Sequence, residues 1–199
     1  MDNKGELIEQ IDLAFDFIRK LYFEVSYLIK EIEVMLNEEE EKFVIGKPGG
    51  YGVTARRSAG LEANNVNLWL FTKLAVFFVP EERTEMRGGQ QITKIDDDLK
   101  VLYLRIDLQD VNEPTVYSGI LHNIKNKGTA KWINKFENLM GHFEYNDERI
   151  LKNPEKIDYQ DAYIELNGKL IRNNLLEINN GEDIIEKIIN LECTPLELD

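Results

Sequence analysis

The chain has 199 residues, 43% of them apolar, and carries a formal net charge of −13. That length is enough to bury a core as one domain. The acidity excludes wholesale condensation onto nucleic acid, which needs concentrated Lys and Arg, and the single cysteine, Cys193, excludes an internal disulfide or a Cys-based zinc site.

The first element is the best marked. Leu7, Ile11, Ala14, Ile18, Leu21, Val25, Leu28, Ile32 and Met35 alternate in steps of four and three. An apolar residue every 3.5 positions keeps one seam of a helix facing a partner. The a positions (Ile11, Ile18, Val25, Ile32) are β-branched and the d positions are mostly Leu-like, the preference of parallel two-stranded coiled coils. The e positions, which carry charges in a simple coil, are apolar as well: Ile8, Phe15, Tyr22, Ile29 and Leu36, with Phe17 at g. So broad a stripe suits a helix laid on its own sheet, a helix paired between subunits, or one arc for each. Residues 1–42 are therefore expected to form a long packing helix. Its candidate interface is Leu7, Ile11, Ile18, Leu21, Val25, Leu28, Ile32 and Met35.

The acidic run Glu38–Glu41 ends this helix. Phe43–Gly46 reads as a short strand, Lys47–Gly50 as a turn and Tyr51–Ala55 as the returning strand. Residues 66–80 are apolar on both faces and rich in aromatic and β-branched side chains, which predicts a long central strand ended by Pro80. Residues 81–98 form a polar connection around Gly88-Gly89. Leu102, Leu104, Ile106 and Leu108 alternate with Val101, Tyr103, Arg105 and Asp107, the pattern of a half-buried strand.

Thr115–Ile124 is the next strand. Ile133, Phe136, Leu139, Met140 and Phe143 then fall on one face of a helix. Residues 146–158 read as a loop. Asp161–Leu166 and Lys169–Ile178 read as a hairpin turning at Asn167-Gly168, the strongest two-residue turn signal present. Asn180-Gly181 precedes a last helix with Ile184, Ile185, Ile188 and Ile189 on its buried side. Short turns between successive strands favour antiparallel pairing. The expected class is α+β: a long N-terminal helix and two further helices on a mostly antiparallel sheet of about seven strands. Residues 43–199 form a body that makes one domain with the helix.

Two constellations invite chemistry. Lys47, Gly49, Gly50, Arg56 and Arg57 could cradle a nucleotide or other anion through turn amides and arginines. The spacing matches neither a P-loop nor a dinucleotide fingerprint, and a plain hairpin also explains the glycines. Asp96, Asp98, Asp107 and His122 could hold Mg²⁺ for a hydrolase or nuclease, since hard cations take oxygen ligands. His122 could instead share a buried face with Ile120 and Ile124. Tyr103 and Tyr117 could form a stacking face. No nucleophile elbow is present.

With no catalytic signature, the leading expectation is a non-enzymatic interaction protein without a cofactor. It self-associates or meets a protein partner through its first helix. Anion binding and metal-dependent hydrolysis stand behind it. The sequence has no run of 18 uncharged apolar residues and its start, MDNKGELIEQ, lacks the features of a signal peptide, so a cytoplasmic protein away from membranes is expected.

Overall fold

The computed structural model describes residues 3–38, 42–46, 54–55, 72–87, 90–96, 98–108, 113–129, 135–145 and 147–189. The first helix, α1 (Asn3–Glu38), runs unbroken. It contains no proline, and its one glycine, Gly5, sits in the first turn, where it disrupts least.

Strands β1 (Phe43–Ile45), β2 (Thr54–Ala55), β3 (Lys73–Pro80), β4 (Thr84–Arg87), β5 (Gln90–Thr93), β6 (Val101–Asp107) and β7 (Thr115–Asn126) follow. Then come α2 (Phe136–Tyr145), α3 (Asp147–Leu151), β8 (Ile157–Gln160), β9 (Ile164–Asn174) and α4 (Gly181–Ile184). The last widens into a π-helical stretch, Ile185–Ile189. Seven strands form one sheet in the order β1-β3-β6-β7-β9-β8, with β2 also on β3, and every pairing is antiparallel. The α+β reading thus holds. Residues 66–71 of the expected central strand lie outside the described residues.

Helices cover both faces of the sheet. On one, Val25, Ile29, Ile32 and Leu36 of α1 and Ile184 and Ile188 near the C-terminus pack on Val76, Phe78, Leu104 and Val116. On the other, Phe136, Leu139, Met140 and Phe143 of α2 and Ile150 of α3 pack on Phe77, Val101, Tyr103 and Leu121. Each fully buried aliphatic side chain contributes roughly 1.5–3 kcal/mol. Double coverage corrects one expectation. β6 is buried along its whole length rather than on one face, because α2 closes over the Tyr103–Arg105 side.

Other differences have local causes. The connection 81–98 contains a small hairpin, β4 with β5, set apart from the main sheet. Residues 146–158 hold α3 and the start of β8 rather than a plain loop. Asn167-Gly168 is no turn: it lies inside β9, and the chain reverses instead at Asp161–Tyr163. Gly168 is there for closeness. A Cβ on it would sit 2.7 Å from Leu121 Cδ2 and 2.8 Å from the Ile120 carbonyl oxygen. A glycine in a strand marks close backbone approach as readily as a turn.

The π-helical stretch also has a physical partner. Its Lys187 carbonyl accepts from Ser118 Oγ (3.2 Å) and Asn173 Nδ2 (2.8 Å), so the sheet supplies bonds at a turn where the regular helical ladder is interrupted. Asn180 caps the start of α4, its Oδ1 accepting from the Asp183 amide at 3.0 Å.

Candidate functional site

The most unusual surface is the first half of α1. Its second half packs on the sheet through Val25, Ile29, Ile32 and Leu36. Residues 5–17 are all exposed, and Ile18, Leu21 and Tyr22 are half-buried. The exposed stretch is strongly apolar: Leu7 is 56% exposed, Ile11 46%, Phe15 61% and Phe17 68%, with Ile8 and Leu13 similar.

The direction of this surface matters as much as its composition. At 3.6 residues per turn, Leu7, Ile11 and Ile18 fall with Val25, Ile29, Ile32 and Leu36 inside an arc of about 60°. The stripe that seals the sheet therefore continues, without turning, past the region where the sheet lies beneath it. Residues 3–24 carry it for roughly 33 Å at 1.5 Å per residue. An exposed apolar patch of this extent marks an interaction surface more often than an accident of packing. Of the interface residues expected from the heptads, Leu7 and Ile11 are exposed and Ile18 and Leu21 half-exposed. Val25 and Ile32 are sealed in the chain's own core, and Leu28 and Met35 pack against it.

The candidate acidic site does not gather. Asp107 lies at one end of β6 opposite Thr115, whereas His122 lies just past Leu121, which faces Val101 at the other end. Six residues of strand separate those ends by about 20 Å. Asp96 accepts from Arg83 Nη1 at 2.6 Å, and Asp98 is exposed. Among the described residues no group of three His, Cys, Asp or Glu side chains is placed to hold a metal ion. Lys47, Gly49, Gly50, Arg56 and Arg57 lie outside the described residues.

His122 is half-exposed, and the irregularity that follows it breaks the expected sharing of one face with Ile124. Asn123 adopts φ 52°, a left-handed conformation that Asn tolerates, and the β7–β9 register shifts there. The bulge sends Ile124 to the α2 side while Ile120 stays on the α1 side. Tyr103 and Tyr117 do share one face, but both are buried in the core under α2 and offer no stacking surface.

Sequence reasoning missed a buried ionic network. Arg105, fully buried on β6, donates from Nη1 to Glu144 Oε1 of α2 at 2.6 Å, and its Nη2 lies 3.7 Å from Asp107 Oδ2. Lys73 Nζ lies 3.6 Å from the same Asp107 oxygen. The Tyr103 hydroxyl donates to Glu144. Burial, and then the Glu144 charge, push the Tyr103 phenol well above its ordinary range. Two carboxylates thus offset the buried guanidinium and the lysine at the edge of the core, as buried charges require.

A second polar knot ties α2 to the β8–β9 turn. Asp161 Oδ2 meets His142 Nε2 at 2.7 Å and accepts from the Tyr159 hydroxyl at 2.8 Å. Its Oδ1 accepts the Tyr163 and Ile164 amides. Partial burial opposes ionisation of Asp161, but these hydrogen bonds prevail and hold its carboxyl down at about 2. Burial and the neighbouring carboxylate push Tyr159 up to about 12.

Comparison with protein families, with curated proteins and with solved structures finds no match for this chain. No helix among the described residues is long and apolar enough to cross a membrane.

Proposed function

We propose that this chain is a non-enzymatic assembly subunit that pairs with a second copy of itself through the exposed half of α1. One observation carries the reading: the stripe that seals the sheet runs on past it with Leu7 and Ile11 open to solvent, and Ile8 and Phe15 exposed beside it. Residue types along the stripe favour a helical partner. β-branched a positions and Leu-like d positions interlock with a facing helix, and an identical copy offers the same pattern in return. The described polar clusters serve the fold instead: Arg105, Asp107 and Glu144 compensate one another, and Asp161 secures a turn.

Sedimentation equilibrium on the full chain tests this. A dimer is expected at micromolar concentration. Replacing Leu7, Ile11 and Phe15 together by Glu should give a monomer with an unchanged far-ultraviolet spectrum, since these side chains lie outside the core. A wild-type chain that stays monomeric to hundreds of micromolar refutes the proposal.

A further inference from the structure

The geometry points to an antiparallel helix pair, in which each copy lays its α1 overhang along the other with the two bodies at opposite ends. This rests on the pairing proposed above and sets its architecture. The seam-side position of the body decides the direction. Val25, Ile29, Ile32 and Leu36 face the sheet, and Leu7, Ile11 and Ile18 face the same way, so body and partner lie on one side of α1.

In a parallel pair both bodies would sit at the same end, each on the seam side of its own helix. Both would then have to fit between two axes that pack only about 8–10 Å apart. A packed sheet cannot enter that space, and the helices would splay before the seam closed. In an antiparallel pair each body lies beyond the partner's N-terminus, where the seam-side space is open. The β-branched a positions favour a parallel coil when helices are free rods; the attached body overrides that preference here.

Overlap is then limited by where the body begins, near Val25. Sliding the copies until each N-terminus meets the other body sets Leu7 beside Ile18 of the second copy and Ile11 beside Ala14. Charge leaves the choice of direction to sterics: Glu6, Glu9, Asp12, Asp16, Arg19 and Lys20 lie at the outer b, c and f positions, about 110° or more from the centre of the seam, and Arg19 holds Asp16 at 3.0 Å within its own helix.

Spin-label distances on the full chain test the direction. With Cys193→Ser as background, Glu24→Cys and Asp12→Cys are labelled separately, both at exposed positions. The antiparallel pair places the two Glu24 sites ~35 Å apart along the axis and the two Asp12 sites within about 20 Å. Short and equal distances at both positions mean a parallel pair and overturn this inference while leaving self-association intact. Long distances at both, with a dimeric mass, place the contact elsewhere and overturn both readings. A monomeric mass with no dipolar coupling refutes the pairing itself.

Discussion

Ile11 and Ile32 occupy the same heptad position, yet Ala substitutions at the two are expected to act on different equilibria. Ile32 is fully buried under α1 on its own sheet, whereas Ile11 is 46% exposed. Ile11→Ala removes three carbons, worth about 2.4 kcal/mol on complete transfer from water at about 0.8 kcal/mol each. Since the isolated subunit leaves about half of that side chain in water, pairing recovers about 1 kcal/mol per copy and about 2 kcal/mol per dimer. The dissociation constant should therefore rise by about 30-fold, at 1.4 kcal/mol per factor of ten. Folding of the subunit should be unharmed or improved by a few tenths of a kcal/mol, because Ala is the better helix former at an exposed position. Ile32→Ala should instead cost about 2–5 kcal/mol of folding stability through the cavity it leaves. Sedimentation equilibrium gives the first quantity and urea unfolding at concentrations below dissociation gives the second. An Ile11→Ala chain that associates like wild type, or one that loses several kcal/mol of stability as an isolated subunit, refutes the reasoning.

The other expectations concern the body. Glu144→Gln keeps the shape of the side chain but removes the charge facing Arg105, and should cost about 3 kcal/mol or more in urea unfolding, since a buried guanidinium loses compensation. Gly141→Ala should stabilise by about 0.5–1 kcal/mol, because a helix interior disfavours Gly and a Cβ there meets nothing within 4 Å. Gly119→Ala should lose about 3 kcal/mol or fail to fold, because its Cβ would lie 1.9 Å from the Lys169 carbonyl oxygen. Asp161 has a carboxyl held below its unfolded value, so its contribution is fully present above about pH 4 and lost as pH falls toward 2. Asp161→Asn should flatten the stability profile in that window, measured by unfolding at a series of pH values; an unchanged slope counts against the hydrogen bonds assigned to Asp161.

What was readable in the sequence was whatever depends on local period. The α1 seam, the β6 alternation and the α2 face of Phe136, Leu139, Met140 and Phe143 all follow from spacing alone, and all three elements are present. What was not readable depends on neighbours distant in sequence. Asn167-Gly168 has the local chemistry of a hairpin turn, but Gly168 is required by the approach of Ile120 and Leu121 on β7. Arg105 falls at a position that reads as solvent-facing, and only Glu144, 39 residues away, makes its burial tolerable. The bulge at Asn123 reverses the facing of Ile124, and nothing in the local alternation marks it. The β4–β5 hairpin within 81–98 was also missed, because Thr84–Arg87 and Gln90–Thr93 are short and polar and carry no apolar alternation.

The α1 seam shows why heptads alone leave the choice between core and interface open. Burial of an aliphatic stripe stabilises by nearly the same amount per Å² whether the covering surface belongs to the same chain or to another. Period and residue type are therefore identical in the two halves of the helix: Ile11 and Ile18 repeat in Val25 and Ile32. What separates them is the extent of the sheet beneath. It covers the stripe from Val25 to Leu36 and leaves Leu7 and Ile11 uncovered. A helix that served only its own sheet would gain nothing from Leu7, Ile8, Ile11 and Phe15, and polar residues at those positions would keep the same helix in water. The apolar overhang is therefore what the proposed pairing rests on: a second α1 would supply the floor that the sheet leaves out.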